Sequence, residues 1–408
     1  MKPLGPIPAG FAAIDGVLAI GGRPVTEWVE VAGDTPLFLY EAARIRSRVA
    51  DLRAAMPERL ALHYAVKANP FSPLLALMNG LVDGFDIASG GELAIVTGAG
   101  IDLTAVSFAG PGKRDRELEA AIRAGVTLNL ESEAEARRAL AIGEKLGQTP
   151  RLAIRVNPDF DLKGSGMKMG GGAKPFGIDA ARVPALVREI AASGAEWRGF
   201  HIFAGSQALN GEAIAETQGQ AIDLAARLAQ ESGTPLPHCN LGGGLGIPYF
   251  PGDTPVDLAL VGERLAARFE HLSEVLQDTA FCIELGRYLV GEAGIYLARV
   301  IDRKESHGEV FLVTDGGLHH QLAASGNFGT VVRRNYPSAI ATRFEASVEE
   351  EASIVGCLCT PLDKLADKGG FPRADMGDLI AVFCAGAYGA SASPAHFLGQ
   401  GPALEILV

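Results

Sequence analysis

The chain has 408 residues, of which 48% are apolar and 21% charged, with 51 glycines and a formal net charge of −12. Such a length buries a large core and suggests two or three domains unless one is a large α/β barrel. The acidic balance argues against a nucleic-acid surface, whose footprint is a basic patch, but leaves room for an anionic small ligand held by a few cations and backbone amides.

In chain order, the opening MKPLGPIPAGF lacks the charged-then-apolar pattern of a signal peptide, and no apolar run reaches transmembrane length. No membrane partner is therefore expected. The short runs VLAIGG and TEWVEVAG follow and read as strands. From about Thr35 to Arg287, β-rich runs alternate with amphipathic helical segments. The runs are LHYAVKAN, GFDIAS, AVSFAG, VTLNLES, RLAIRVNP, WRGFHIFAGS, HCNLGGG and FCIELGR. Ser89 with Glu92 and Ser132 with Glu135 have capping-box spacing, which starts a helix just after a strand. Eight β/α units in order predict a (β/α)8 TIM barrel over residues 35–287, with its chemistry at the strand C-termini; a doubly wound open sheet is the rival. Beyond Arg287 the strands GIYLARVIDRKE, EVFLVTDGG, ASIVGCLCT, DLIAVFCAGAY and ALEILV lack regular helices between them. They predict an all-β sandwich domain from residues 288–408, joined by residues 1–34. GMKMGGGAKP at 166–175 is the best candidate for a mobile loop. The five cysteines, Cys239, Cys282, Cys357, Cys359 and Cys384, are few, odd in number and mostly in apolar strands, as in a reduced cytoplasmic protein.

A closed barrel gathers at one mouth Lys67, Asp86, Arg155, His201, Ser206, Gly242 to Gly244, Glu284 and Arg287. Each has a plain structural explanation: a lysine at a strand end reaches into water, a lone Asp or Arg makes a loop ion pair, and three glycines make a tight turn. The glycines make a poor dinucleotide fingerprint, because Pro248 follows at once and no long helix opens there. A cup of backbone amides for one phosphate fits better. Cys357 and Cys359 have the wrong spacing for a zinc knuckle, so no metal is expected. A lysine suited to Schiff-base chemistry, favoured by partial desolvation, joins a phosphate cup and the carboxylate of Glu284. Together they specify pyridoxal 5'-phosphate.

YAVKAN, FDIASGGEL, the GSQ at 205–207, LGGGLG, ELGR and GAYGAS occur in an order that resembles the fold-type III pyridoxal-phosphate decarboxylases, which include the diaminopimelate and ornithine decarboxylases. The resemblance covers nearly the whole chain. It implies an alanine-racemase-like barrel with a β-sandwich domain, and a homodimer with shared active sites. It also implies that Lys67 holds the cofactor and Glu284 its ring nitrogen, and that Ser206, Gly243, Gly244, Arg287 and Tyr388 surround the phosphate. Asp86, Arg155 and Gly286 also fall at cofactor positions. Cys359, from the partner subunit, would protonate the product carbanion.

Departures from the family pattern leave the cofactor site whole and alter the substrate site. Phe203 replaces a histidine that stacks on the cofactor ring, and ELGR replaces EPGR. Thr360 replaces the acid that reads the distal amino group, and RRNYP, with Arg334 and Tyr336, replaces an arginine-proline motif. Asp315 also falls near the distal group. CTPLD with HIFAGSQ is most similar to decarboxylases of exosortase and polysaccharide gene systems, relatives of a butirosin-pathway enzyme acting on carrier-bound glutamyl groups. The expected activity is decarboxylation of an amino acid, or of a carrier-bound aminoacyl group, other than free meso-diaminopimelate. The alternatives are diaminopimelate decarboxylase of lysine biosynthesis and, from another class, a non-catalytic regulatory protein that binds the cofactor. A racemase fits less well, because that chemistry favours a less electron-withdrawing cofactor than Glu284 would give.

Overall fold

The eight β-rich runs fold as parallel strands: β1 Leu60–Ala65, β2 Gly84–Ile87, β3 Val106–Phe108, β4 Thr127–Leu130, β5 Arg151–Asn157, β6 Glu196–Ile202, β7 His238–Asn240 and β8 Ala280–Leu285. Neighbours run β5-β6-β7-β8-β1-β2-β3-β4, and β4 pairs again with β5, closing the barrel. Strands buried on both faces need continuous apolar runs rather than alternation, and β2, GFDI, is buried at all four positions. This computed structural model describes residues 1–326 and 333–408.

Helices start where the caps predicted. Ser89 and Ser132 each accept the amide of the glutamate three residues on, at 3.1 Å in both cases. Each glutamate reaches back one residue further than a standard box, to the amides of Ala88 and Glu131. Two stray donors at each helix start are thereby satisfied.

By contact the chain forms two compact units. Val49–Gly246 with Pro255–Gly286 makes the barrel unit; Met1–Arg48, Ile247–Thr254 and Arg287–Val408 make the other. The second unit is built on the 13-residue strand Gly294–Ser306. Its first half pairs with Leu379–Val382 on one side and Leu37–Tyr40 on the other, and its second half pairs with Glu309–Thr314. Leu37–Tyr40, four buried residues just inside the region read as barrel, is thus a strand of the β unit. It lies between Gly294–Ser306 and Leu404–Leu407, so burial on both faces is what its unbroken LFLY run provides.

One expectation fails here. TEWVEVAG is not a strand; Val25–Ala32 is a helix. Val25 and Val29 lie four residues apart and are both buried, Glu27 sits in the first turn, and Gly33 closes the helix at φ 89°. Both valines pack with Leu37, Leu39, Ile295, Leu297, Leu379 and Ala381, which alternate along three strands and so share one face of the sheet. Burying each valine stabilises the unit by about 1.5–3 kcal/mol, enough to override the β-preference of the sequence. Among the described residues, no helix is long and apolar enough to cross a membrane.

Candidate active site

Lys67 follows β1 directly, in a single 3₁₀ turn, Val66–Ala68. Val66 and Ala68 are buried while Lys67 is exposed, so the turn anchors its flanks and presents the ammonium at the barrel's C-terminal end. The partial desolvation that Schiff-base chemistry favours is not provided by the turn itself. Phe203, after β6, places its ring centroid 5.4 Å from Lys67 Nζ. Gly286, after β8, is needed for packing against the lysine turn: a Cβ there would stand 2.7 Å from the Ala68 Cβ.

Glu284, on β8, is 6% exposed. Its Oε2 lies 2.8 Å from His201 Nε2 and accepts from Asn240 Nδ2 at 3.2 Å. Asn240 in turn accepts the Gly242 amide at 2.8 Å, and the Glu284 amide donates to the Gly242 carbonyl at 3.0 Å. Burial alone would raise the Glu284 carboxyl, but His201, Lys67 and Arg155 outweigh it and hold the group well below the usual carboxylate range. The site therefore keeps an ionised carboxylate in a buried place, oriented by two side chains.

Gly242 and Gly244 have φ of 73° and 92°, where glycine is strongly favoured. A Cβ at Gly243 would collide with the Glu284 carbonyl, and one at Gly244 would come within 2.7 Å of Leu162 and 3.0 Å of the Gly205 carbonyl. The glycines thus let backbone approach backbone beside Ser206. The segment read as mobile is pinned at the same place, because Met167–Lys168 pair antiparallel with Gly205–Ser206.

Arg155, 7% exposed, donates to Glu131 at 2.9 Å and lies over the Phe176 ring at 5.0 Å. Glu131 also accepts the amides of Gly110 (2.6 Å) and Gly177 (2.7 Å). Arg155 is thus part of a buried frame, beside the Lys113–Glu135 pair at 2.7 Å. Asp86 faces the barrel lumen, where Ser107 donates to one oxygen and His63 Nδ1 stands 3.2 Å from the other.

Within the other unit, Arg287 donates to Tyr249 Oη at 2.7 Å and stacks over Tyr388 at 4.6 Å. Tyr388 holds a left-handed φ of 58°. Tyr336 packs on Tyr249 at 4.7 Å, and the Arg334 guanidinium covers Phe250 at 3.7 Å. Asp315 accepts the Arg299 amide at 2.8 Å on one oxygen and the Thr35 hydroxyl on the other. Thr360 accepts the Leu362 amide at 3.4 Å within its own turn, and Cys359 beside it is exposed. The sequence reading missed Asn240, Glu131 and Tyr249. Asn240 and Glu131 sit in quoted strand ends, HCNLGGG and VTLNLES, and their strand-terminal position was the available signal.

A family model described as "Pyridoxal-dependent decarboxylase, pyridoxal binding domain" matches residues 42–291. The chain is 35% identical over 380 residues to an "L-glutamyl-[BtrI acyl-carrier protein] decarboxylase" of Niallia circulans, covering 92% of this chain and 89% of that protein. It is 34% identical over 404 residues to a diaminopimelate decarboxylase of Aquifex aeolicus, covering 97% and 91%. The crystal structure of diaminopimelate decarboxylase from Helicobacter pylori complexed with L-lysine is similar, with a TM-score of 0.83, 26% identity, and 94% of each chain covered.

Proposed function

The chain belongs to the pyridoxal-dependent decarboxylases, and from that premise we propose that it removes the α-carboxylate of an amino acid, or of a carrier-bound aminoacyl group, other than free meso-diaminopimelate. The observation that carries the chemistry is Glu284, ionised in a buried place and fixed by His201 and Asn240. Pyridoxal phosphate fits the residues around it: the glycine cradle that a Cβ would fill suits a phosphate, and the Phe203 face beside Lys67 suits a flat ring. When bound, the cofactor supplies an electron sink for the pair left as carbon dioxide departs.

The chain's residues then divide the work. Lys67 offers the amine that holds the cofactor. The Glu284 carboxylate keeps a proton on the ring nitrogen, stabilising charge that develops only as the α-bond breaks. His201 and Asn240 fix that carboxylate. Gly243, Gly244 and Ser206 bind the phosphate, with Arg287 and Tyr388 added by the family resemblance. Phe203 stacks without offering a polar edge.

Cys359 returns a proton to the α-carbon. Because it is exposed in its own chain, we infer a homodimer in which it serves the second copy's site. We place the enzyme in the cytoplasm, consistent with five free cysteines.

The substrate reading rests on Thr360, which offers a hydroxyl where an acid would pair with a distal ammonium. A hydroxyl accepts a hydrogen bond but does not neutralise charge. Losing one charge-assisted bond forfeits about 1.5–3 kcal/mol, or about one to two powers of ten in kcat/KM. The relative named for a carrier-bound glutamyl group supports this reading. Mass spectrometry of products from free diaminopimelate, lysine, ornithine and glutamate, and from carrier-loaded glutamate, tests it. Turnover of an acidic or carrier-bound group, with diaminopimelate poor, is expected. The Aquifex relative, named a diaminopimelate decarboxylase, supports a second reading, which efficient turnover of free diaminopimelate would establish.

A further inference from the structure

Beneath the strand ends, the barrel lumen holds three metal-binding side chains that decarboxylation does not use. His238 on β7 is level with Ala280 of β8, and Cys282 on β8 is level with Ala61 of β1. Each donor in the series His238, Cys282, His63 therefore lies two residues further along its strand than the residue level with the one before. One ligand atom from each of the three lies within 4.8 Å of the others. The His63 and His238 rings face each other at 29°, with centroids 6.0 Å apart. Beside them a cavity of about 250 Å³ is lined by His63, Ser107, Asn129, Arg198, His238 and Asn240. Arg198 is paired with Glu196 at 2.9 Å, so its charge is offset.

We propose that His63, His238 and Cys282 form a binding site for a borderline transition-metal ion of the zinc class.

Two imidazoles and a thiolate suit zinc or cobalt and disfavour magnesium or calcium, which take oxygen ligands. Metal–nitrogen bonds of about 2.0–2.1 Å and metal–sulfur bonds of about 2.3 Å place tetrahedral ligands roughly 3.3–3.7 Å apart. The three side chains need draw in by only about 1 Å, within the reach of small side-chain rotations. Asp86 Oδ2 stands 3.2 Å from His63 Nδ1, and neither atom completes an aligned hydrogen bond. That places a carboxylate behind the ligand ring, the arrangement that orients metal-bound histidines and leaves Nε2 for the ion. Water in the cavity supplies the fourth ligand. A thiol binds the ion as thiolate, so an entering ion displaces the Cys282 proton.

The test uses the cofactor-loaded enzyme, dialysed against chelator and titrated with cobalt(II). One ion per chain is expected, with d–d bands of tetrahedral intensity in the red, away from cofactor absorption, and displacement by zinc. His238→Ala and Cys282→Ser should each weaken binding at least about tenfold, the scale of a disturbed metal shell. X-ray absorption on the zinc-loaded wild type, which does not depend on any variant folding, should show one sulfur and two imidazole scatterers. An oxygen-only shell, no retained ion, or wild-type affinity in both variants would overturn the site and leave a buried Cys–His–Asp cluster without an ion.

Discussion

Replacing Glu284 by glutamine removes one charge while keeping the shape of the side chain. The amide oxygen still accepts from Asn240, 3.2 Å away, and from His201, 2.8 Å away. The cost to the fold should therefore be near that of one hydrogen bond, about 1 kcal/mol. Catalysis loses more, because a neutral amide does not hold a proton on the cofactor's ring nitrogen. Losing a charge-assisted bond costs about 1.5–3 kcal/mol, and losing one preorganised electrostatic group costs on the order of 10²–10³ in kcat. The two ranges meet near a 10²-fold loss. The assay is kcat for carbon dioxide release at saturating cofactor, with cofactor affinity from fluorescence titration and melting by circular dichroism. A fall in kcat with cofactor affinity kept is expected. An unchanged kcat, or a loss wholly in cofactor affinity, would refute the role given to Glu284.

Gly243→Ala should abolish cofactor retention or folding, since its Cβ would collide with the Glu284 carbonyl; equilibrium dialysis against pyridoxal phosphate distinguishes it from a tolerated change. Stability should fall in acid. Burial raises Glu131 and Glu284, but Arg155 with the Gly177 amide and His201 with Lys67, respectively, outweigh it and leave both folded values depressed. Their contribution is thus fully present above the ordinary value of about 4.5 and is lost as pH falls below it toward the folded values. Melting temperature against pH should show that acid slope, and Glu131→Gln should flatten it. Mixing Lys67→Ala with Cys359→Ala subunits should restore about a quarter of wild-type activity, because half the exchanged dimers are mixed and each has one intact site. No recovery after verified exchange would place both residues in one chain's site.

The barrel was legible because each strand carries its own punctuation. Apolar runs end at Lys67, Glu284 or the Gly242–Gly244 turn, and the serine caps mark the helices that follow. Side chains named at strand ends came together where barrel closure gathers strand ends at one mouth, as with His201 and Glu284. What was hidden depends on distant partners. Asp315 was placed by its position in VTDGG, and no spacing there reveals that its oxygens meet Thr35 and Arg299. TEWVEVAG reads as a strand by its β-branched residues, yet its fate is set by the sheet face that Val25 and Val29 cover. Arg155 reads as a strand-end cation, and only closure of β4 onto β5 brings it to Glu131.

The central claim is that Lys67 holds pyridoxal phosphate in a barrel that uses it for decarboxylation. Borohydride reduction of the purified holoenzyme, followed by peptide mass spectrometry, tests it most directly. The account predicts the reduced cofactor mass on the peptide containing Lys67, with carbon dioxide release abolished in step with labelling. Labelling at another lysine, or a protein that takes up no label when given the cofactor, would contradict it.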